Sequence, residues 1–336
     1  MIRRSLSLLL CAALMVSSLL GGCTRKVDPE LVYGRESSSQ SSSQSSSPQP
    51  SEPPVSSSSE PEPEPSSEPI VSSEPEPEPE SEASSAYVPA MSADFAQLAG
   101  LSNENRGWGP GVQVDDRNRP YGSTSFQSEF EKYCAYFIAP DTQKVYLTFD
   151  EGYEAEGRYT VQILDTLLEK DAKAVFFVTG DYVKRNADLV QRMIDEGHIV
   201  GSHSWSHPSM PGETIEDAAA ELTELHDYVK ENFGYDMYLF RFPMGEFSER
   251  TLALVQDMGY QSVFWSFAYR DWEVDNQMSE SDAMARLQQY AHPGAIFLLH
   301  AVSSTNASIL GDLIDWLRDE GYEVSPYDLP YFERES

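Results

Sequence analysis

Residues 144–178 read KVYLTFDEGYEAEGRYTVQILDTLLEKDAKAVFFV. An apolar run rich in β-branched and aromatic residues, Lys144–Phe149, precedes an amphipathic helical pattern at Thr160–Lys170 and a second apolar run at Ala174–Val178, which spells strand, helix, strand. The alternation continues to the end of the chain. Further strands are expected at His198–Gly201, Met237–Arg241, Ser262–Ser266, Ala295–Leu299 and Tyr322–Val324, which makes seven. Helices are expected between them at Asp181–Glu196, Ile215–Phe233, Glu249–Met258, Asp282–Ala291 and Ile309–Glu320. Thr214, Ser248 and Ser281 stand at N-cap positions, and Gly197, Gly234, Gly259 and Gly321 stand just past helix ends. Repeated βα units imply an α/β fold, with parallel strands under a cover of helices, as a barrel or an open doubly wound sheet. No G-x-G-x-x-G turn follows the first strand and there is no P-loop, so the open, phosphate-cradling sheet loses its main support and a barrel is favoured. Barrels carry their chemistry where strands end, at the C-terminal face.

The first ninety of the 336 residues are of another kind. Arg3 and Arg4 precede an apolar run, Leu6–Leu20, that is short for a membrane span, the pattern of an export signal. The run ends Leu20-Gly21-Gly22-Cys23, which resembles the lipobox after which a lipoprotein signal peptide, here residues 1–22, is cut and the cysteine is acylated. Cys23 is the expected lipidation site, and the protein is expected on the outer face of the cell membrane through that anchor. Residues 23–89 are dominated by Ser, Pro, Glu and Gln and cannot bury enough apolar surface to fold, so they form a disordered tether. Residues 90–140 are expected to pack against the barrel as an N-terminal extension, and residues 141–330 to form the catalytic domain. Cys134, left alone once Cys11 and Cys23 are accounted for, reads as a small buried hydrophobe. The net charge is −32, and residues 1–89 hold 5 basic and 13 acidic groups, so about −24 falls on the folded part. Nucleic acid is excluded as a partner on that balance.

The strand ends hold the candidate chemistry. The first strand ends in Asp150-Glu151-Gly152, two adjacent carboxylates at a rim. After the third comes Gly201-Ser202-His203-Ser204-Trp205-Ser206-His207, two imidazoles four residues apart, which with a carboxylate could hold a divalent ion. The fourth strand runs into Arg241-Phe242-Pro243-Met244-Gly245, the fifth leads to Arg270-Asp271-Trp272, and the sixth ends in His300. His198, His226 and His292 have no such placement and read as structural or surface groups.

The runs TFDEG, the His203–His207 pair, RFPMG, RDW and LLH, in that order, resemble the five motifs of the polysaccharide deacetylase family, carbohydrate esterase family four. GYE (152–154), FSERTL (247–252), WSFAYRDW (265–272) and LLHAVSS (298–304) are most similar to its delta-lactam-biosynthetic members, which act on N-acetylmuramic acid in peptidoglycan, chiefly of the spore cortex. The resemblance implies a distorted (β/α) barrel and one divalent metal ion, such as Zn, Mn or Mg. It implies Asp150 as catalytic base, His203 and His207 as metal ligands, Arg241 as the residue that positions the base, Asp271 as the partner of the acid and His300 as general acid. The Met244 amide would meet the oxyanion, and Trp272 would lie beside the substrate. Glu151 stands where the family commonly has a second Asp and is expected as the third ligand, because a longer carboxylate can still reach an ion on the two histidines. Arg158 and Arg270 are candidates to meet the lactyl carboxylate of muramic acid. The expected partner is the peptidoglycan glycan strand. An N-acetylglucosamine deacetylase acting on peptidoglycan or another exported glycan, and an inactive wall-binding lipoprotein, are the competing readings.

Overall fold

The computed structural model describes residues 88–155 and 158–332, all within the unit Ser67–Ser336. The export signal, Cys23 and nearly all of the tether lie outside the described residues. Ahead of the first βα unit stand α1 (Phe95–Leu98), β1 (Arg106–Gly107), α2 (Tyr121–Phe130) and β2 (Ala135–Tyr136). The alternating region follows with β3 (Lys144–Glu151), α3 (Tyr159–Glu169), β4 (Val175–Val178), α4 (Gly180–Arg185), α5 (Ala187–Asp195) and β5 (Ile199–Ser202). Then come α6 (Ile215–Phe233), β6 (Leu239–Phe240), β7 (Glu246–Phe247), α7 (Glu249–Asp257) and β8 (Gln261–Val263). The last elements are α8 (Glu280–Tyr290), β9 (Ile296–His300), α9 (Ser304–Asp319) and β10 (Glu323–Val324).

The described residues form an eight-stranded parallel sheet in the order β10-β3-β4-β5-β6-β8-β2, with β9 also paired to β3. A parallel bridge from Phe267 to Phe297 links the chain beyond β8 to β9 and curls the sheet into a distorted barrel. All seven expected strands form, and β2 adds an eighth from the segment read as an extension. Two residues are too few to show a period, which is why it escaped the pattern.

Helix α6 has the expected bounds, because Thr214 Oγ1 accepts the Asp217 N–H at its start and Gly234 takes the left-handed turn (φ 66°) at its end. The single helix expected over 181–196 is broken. Asn186 leaves the helical region (φ −128°, ψ 42°) and its side-chain amide donates to the Tyr182 carbonyl, closing α4 before α5 begins. Ser279, not Ser281, caps α8 by accepting the Asp282 N–H, and Ser303 caps an earlier start of α9. Among the described residues no helix is long and apolar enough to cross a membrane.

Two apolar layers follow from strand alternation. Tyr136, Tyr146, Val175, Phe177, Leu239, Val263 and Ile296, one or two each from β2, β3, β4, β6, β8 and β9, share the barrel interior with Tyr327. Their neighbours Phe149, Phe176 and Val178 face the other way and pack under the helices. Counting in twos from the interior set, and on β5 from Ile199, which packs against it, Tyr146 leads to Asp150, Ile199 through Gly201 to His203, Leu239 to Arg241 and Ile296 to His300. Four of the candidate residues therefore lie on the inner side at the C-terminal rim. Gly201 is required there: a Cβ would come within 2.6 Å of the Phe177 ring.

The segment before the barrel reaches the same rim. β1 pairs antiparallel with β7, Arg106 against Phe247. Trp108, beyond β1, donates its backbone N–H to Gly245 O (3.0 Å) and its indole N–H to Trp265 O (3.0 Å).

Candidate active site

Asp150, at the end of β3, is 7% exposed, and Arg241 Nη1 donates to its Oδ1 at 2.8 Å. Arg241 itself is fully buried. Its Nε donates to Val263 O (2.9 Å), its Nη2 to Phe264 O (3.1 Å), and the guanidinium carbon lies 4.2 Å from the centroid of the Phe177 ring. A buried cation is tolerable only with such a full set of partners. Burial alone would raise the Asp150 pKa, but the charge of Arg241, followed by those of His203 and His300, outweighs it and holds the carboxyl below its usual range. The aspartate is thus an ionised acceptor.

His203 follows β5. Its Nδ1 lies 2.9 Å from Arg241 O, and since a carbonyl only accepts, Nδ1 carries the hydrogen and Nε2 holds the lone pair. That Nε2 stands 3.4 Å from Asp150 Oδ2. Burial pushes the His203 pKa down to about 4, so the ring is neutral at neutral pH. A lone pair and a carboxylate oxygen facing each other with no proton between them suit a cation. The His207 ring is adjacent, its centroid 4.7 Å from that of His203. No group of three or more His, Cys, Asp or Glu that could hold a metal ion occurs among the described residues. The two imidazoles beside Asp150 are the donors that fit one.

Glu151 does not join them, which corrects the expectation of a third ligand. Being next to Asp150 in the strand, it points to the opposite face. There it is fully buried under α3 and α4, with Oε2 accepting from Thr160 Oγ1 at 3.4 Å and Oε1 without a hydrogen-bond partner. Burial first, then the nearby carboxylate of Glu154, lifts its pKa well above the usual carboxylate range. Burial and the neighbouring carboxylate thus favour the protonated form of Glu151.

On β9, in register with Asp150 of the neighbouring β3, His300 Nδ1 donates to Asp271 Oδ1 at 2.7 Å and its backbone N–H to Oδ2 at 2.8 Å. Burial opposes charge on His300, but Asp271 by charge and hydrogen bond, with Asp150 adding to it, raises the pKa above the ordinary value. Two residues not found in the sequence complete this end. Asn306 Nδ2 donates to Asp271 Oδ2 at 2.6 Å, and the Tyr269 hydroxyl donates to Asn306 Oδ1. Their only sequence signal is proximity to the strand ends of RDW and LLH.

The Trp272 ring lies 5.4 Å from that of His300, edge to face. Met244 takes a left-handed backbone (φ 56°, ψ 6°) on the turn Pro243–Gly245 and is 46% exposed. The two arginines expected near the substrate each make a surface ion pair instead, Arg158 with Asp188 at 3.0 Å and Arg270 with Glu273 at 2.6 Å. His198, His226 and His292 are buried against Ala174 N, the Tyr260 hydroxyl and Pro293 O, away from this set.

The family described as polysaccharide deacetylase matches residues 138–263. The chain is 40% identical over 242 residues to the peptidoglycan-N-acetylmuramic acid deacetylase PdaA of Bacillus subtilis (strain 168), covering 71% of this chain and 91% of that protein. It is 43% identical over 233 residues to an uncharacterized 30.6 kDa protein of Geobacillus stearothermophilus, covering 68% of this chain and 86% of the other. Among solved structures, that of Bacillus subtilis PdaA, a family 4 carbohydrate esterase, matches with a TM-score of 0.63 at 39% identity over 66% of this chain and 95% of its own.

Proposed function

The chain belongs to the polysaccharide deacetylase family, carbohydrate esterase family 4, and from that premise we propose that it hydrolyses the N-acetyl group of N-acetylmuramic acid in peptidoglycan. The observation that carries the proposal is the opposite proton preference of Asp150 and His300 at the rim. Arg241 holds Asp150 ionised, while Asp271 favours the protonated form of His300. One base and one acid set apart in this way are what amide hydrolysis requires.

Asp150 removes a proton from the attacking water, and Arg241 fixes the carboxylate in the orientation that receives it. The Met244 turn offers a backbone amide to the oxygen that becomes negative. His300 then gives its proton to the departing nitrogen, leaving acetate and a free amine. His203 and His207 would hold a divalent ion, which when bound supplies positive charge that polarises the acetamide carbonyl and eases loss of a proton from water.

The muramic assignment rests on the motif phrases shared with delta-lactam-forming members and on the N-acetylmuramic acid deacetylase named among the relatives, that of Bacillus subtilis. The free amine is the product of this step, and we assign it to the route to the muramic lactam of the spore cortex, whose ring closes in a separate step when the amine bonds to the lactyl carboxyl with loss of water. We also propose that Cys23 anchors the protein outside the cell, which Cys23→Ser tests: fatty-acid labelling should disappear. For the activity, glycan strands stripped of stem peptides are incubated with the protein and analysed by mass spectrometry. Muramic residues should lose acetyl before glucosamine residues do, and equal turnover at both sugars would contradict the assignment.

A further inference from the structure

The two imidazoles of the site are held very differently. His203 is buried at a strand end and fixed by the Arg241 carbonyl, whereas His207 is exposed, four residues further on, in a turn that the strand does not constrain. That turn contains two non-glycine residues with left-handed backbone, Ser204 (φ 64°) and His207 itself (φ 61°). Residues with a Cβ keep that conformation only where their surroundings impose it.

Part of the constraint is internal, with Ser204 Oγ accepting the His207 N–H at 2.9 Å. A further part comes from a residue of α6. Glu221 Oε2 accepts the Ser206 N–H at 2.7 Å, its Oε1 accepts from Ser206 Oγ at 2.6 Å, and its backbone carbonyl accepts the Trp205 N–H at 3.1 Å. Trp205 is wedged in turn: its carbonyl accepts the Gly180 N–H, its ring fills the space where a Cβ on Gly180 would stand, and Lys184 Nζ lies 3.8 Å from the ring centroid. Three hydrogen bonds from the residues just before His207 therefore converge on Glu221, two of them on its side-chain oxygens.

We infer that Glu221 is the positioning residue of the metal pair: it clamps Ser206 so that the His207 imidazole is presented beside His203. The inference rests on the reading of these histidines as ligands. Glu221 touches neither substrate nor ion. It acts by geometry, as outer partners of metal ligands do, and its removal loosens one ligand while leaving the other, the base and the acid in place.

The test uses the full chain, stripped by chelation and titrated with Co2+, read by calorimetry and by the visible absorption of the bound ion. Glu221→Ala should weaken Co2+ binding about ten- to a hundredfold, with kcat returning at saturating Co2+ and KM for the glycan unmoved. Glu221→Gln still presents an oxygen to the Ser206 N–H and an amide hydrogen to Ser206 Oγ, so it should bind Co2+ nearly as the parent does. Unchanged affinity in Glu221→Ala would overturn the inference, as would a Gln variant as weak as the Ala one, since charge rather than position would then be at work. His207→Ala separates the two levels. If it binds Co2+ as tightly as the parent, the ligand reading falls and this inference with it; if it loses the ion while Glu221→Ala does not, this inference alone fails.

Discussion

Arg241 reaches across the barrel to place Nη1 2.8 Å from Oδ1 of Asp150, with no part of its side chain in contact with solvent. Removing the guanidinium would leave a carboxylate in the interior without its cation. Arg241→Met should cost about 3–5 kcal/mol of stability, the usual penalty for breaking a buried pair from one side. The folded pKa of Asp150 lies below its unfolded value, so the pair's contribution is complete above the unfolded pKa of about 3.9 and is lost as pH falls through the depressed folded value. Thermal unfolding of the parent and the variant across acid pH checks both points. The same loss at every pH would show that packing rather than charge was removed.

Asp150→Asn keeps the size of the side chain but cannot take a proton from water. Acetate release should fall on the order of a hundredfold or more, with the circular dichroism spectrum intact. Near-normal turnover would take Asp150 out of the base role.

The acid responds in the opposite direction. The pKa of His300 is raised by Asp271, so activity that needs its proton persists at low pH and declines as pH rises through that value. Asp271→Asn should move the alkaline limb of the kcat/KM profile toward acid. Asn306→Ala should move it slightly the other way, because a carboxylate that loses one donor but keeps its charge holds the imidazolium proton more tightly. Profiles that superpose on the parent would disconnect this pair from proton delivery.

Glu151, buried on the helix side of β3 and with its pKa raised by that burial, should be dispensable as a ligand. Glu151→Gln is therefore expected to leave Zn2+ affinity close to that of the parent. A loss of roughly tenfold or more, the size expected for a ligand or its partner, would return the carboxylate to the ion.

The contrast between Glu151 and Asp150 shows what the sequence could and could not supply. Strand ends were legible because short β-branched and aromatic runs stop at polar residues, and that alone located Asp150, His203, Arg241 and His300. Which of two adjacent carboxylates faces inward depends on the side to which Phe149 packs, and that is settled by the whole sheet. Helix α6 could be bounded to the residue from its Thr214 cap and Gly234 stop, whereas β2, two residues long, has no period to detect. Asn306, Tyr269 and Glu221 escaped notice for a related reason. Each acts through a side-chain contact made in space, and no local spacing announces such a contact.

The brace formed by Trp108 limits where the working unit of this protein can be cut. The family match begins at residue 138, yet the turn under Met244 leans on a residue thirty positions earlier in the chain. A Cβ on Gly245 would stand 2.8 Å from Trp265 Cη2 and 3.3 Å from Trp108 Cβ, so turn and brace leave each other no slack. A fragment begun at residue 138 and carried on through His300 and α9 would keep every residue of the proton-transfer pairs and still lose the support of the left-handed turn. Transplanting the sugar-facing loop between relatives carries the same obligation: the tryptophan and the turn must travel together.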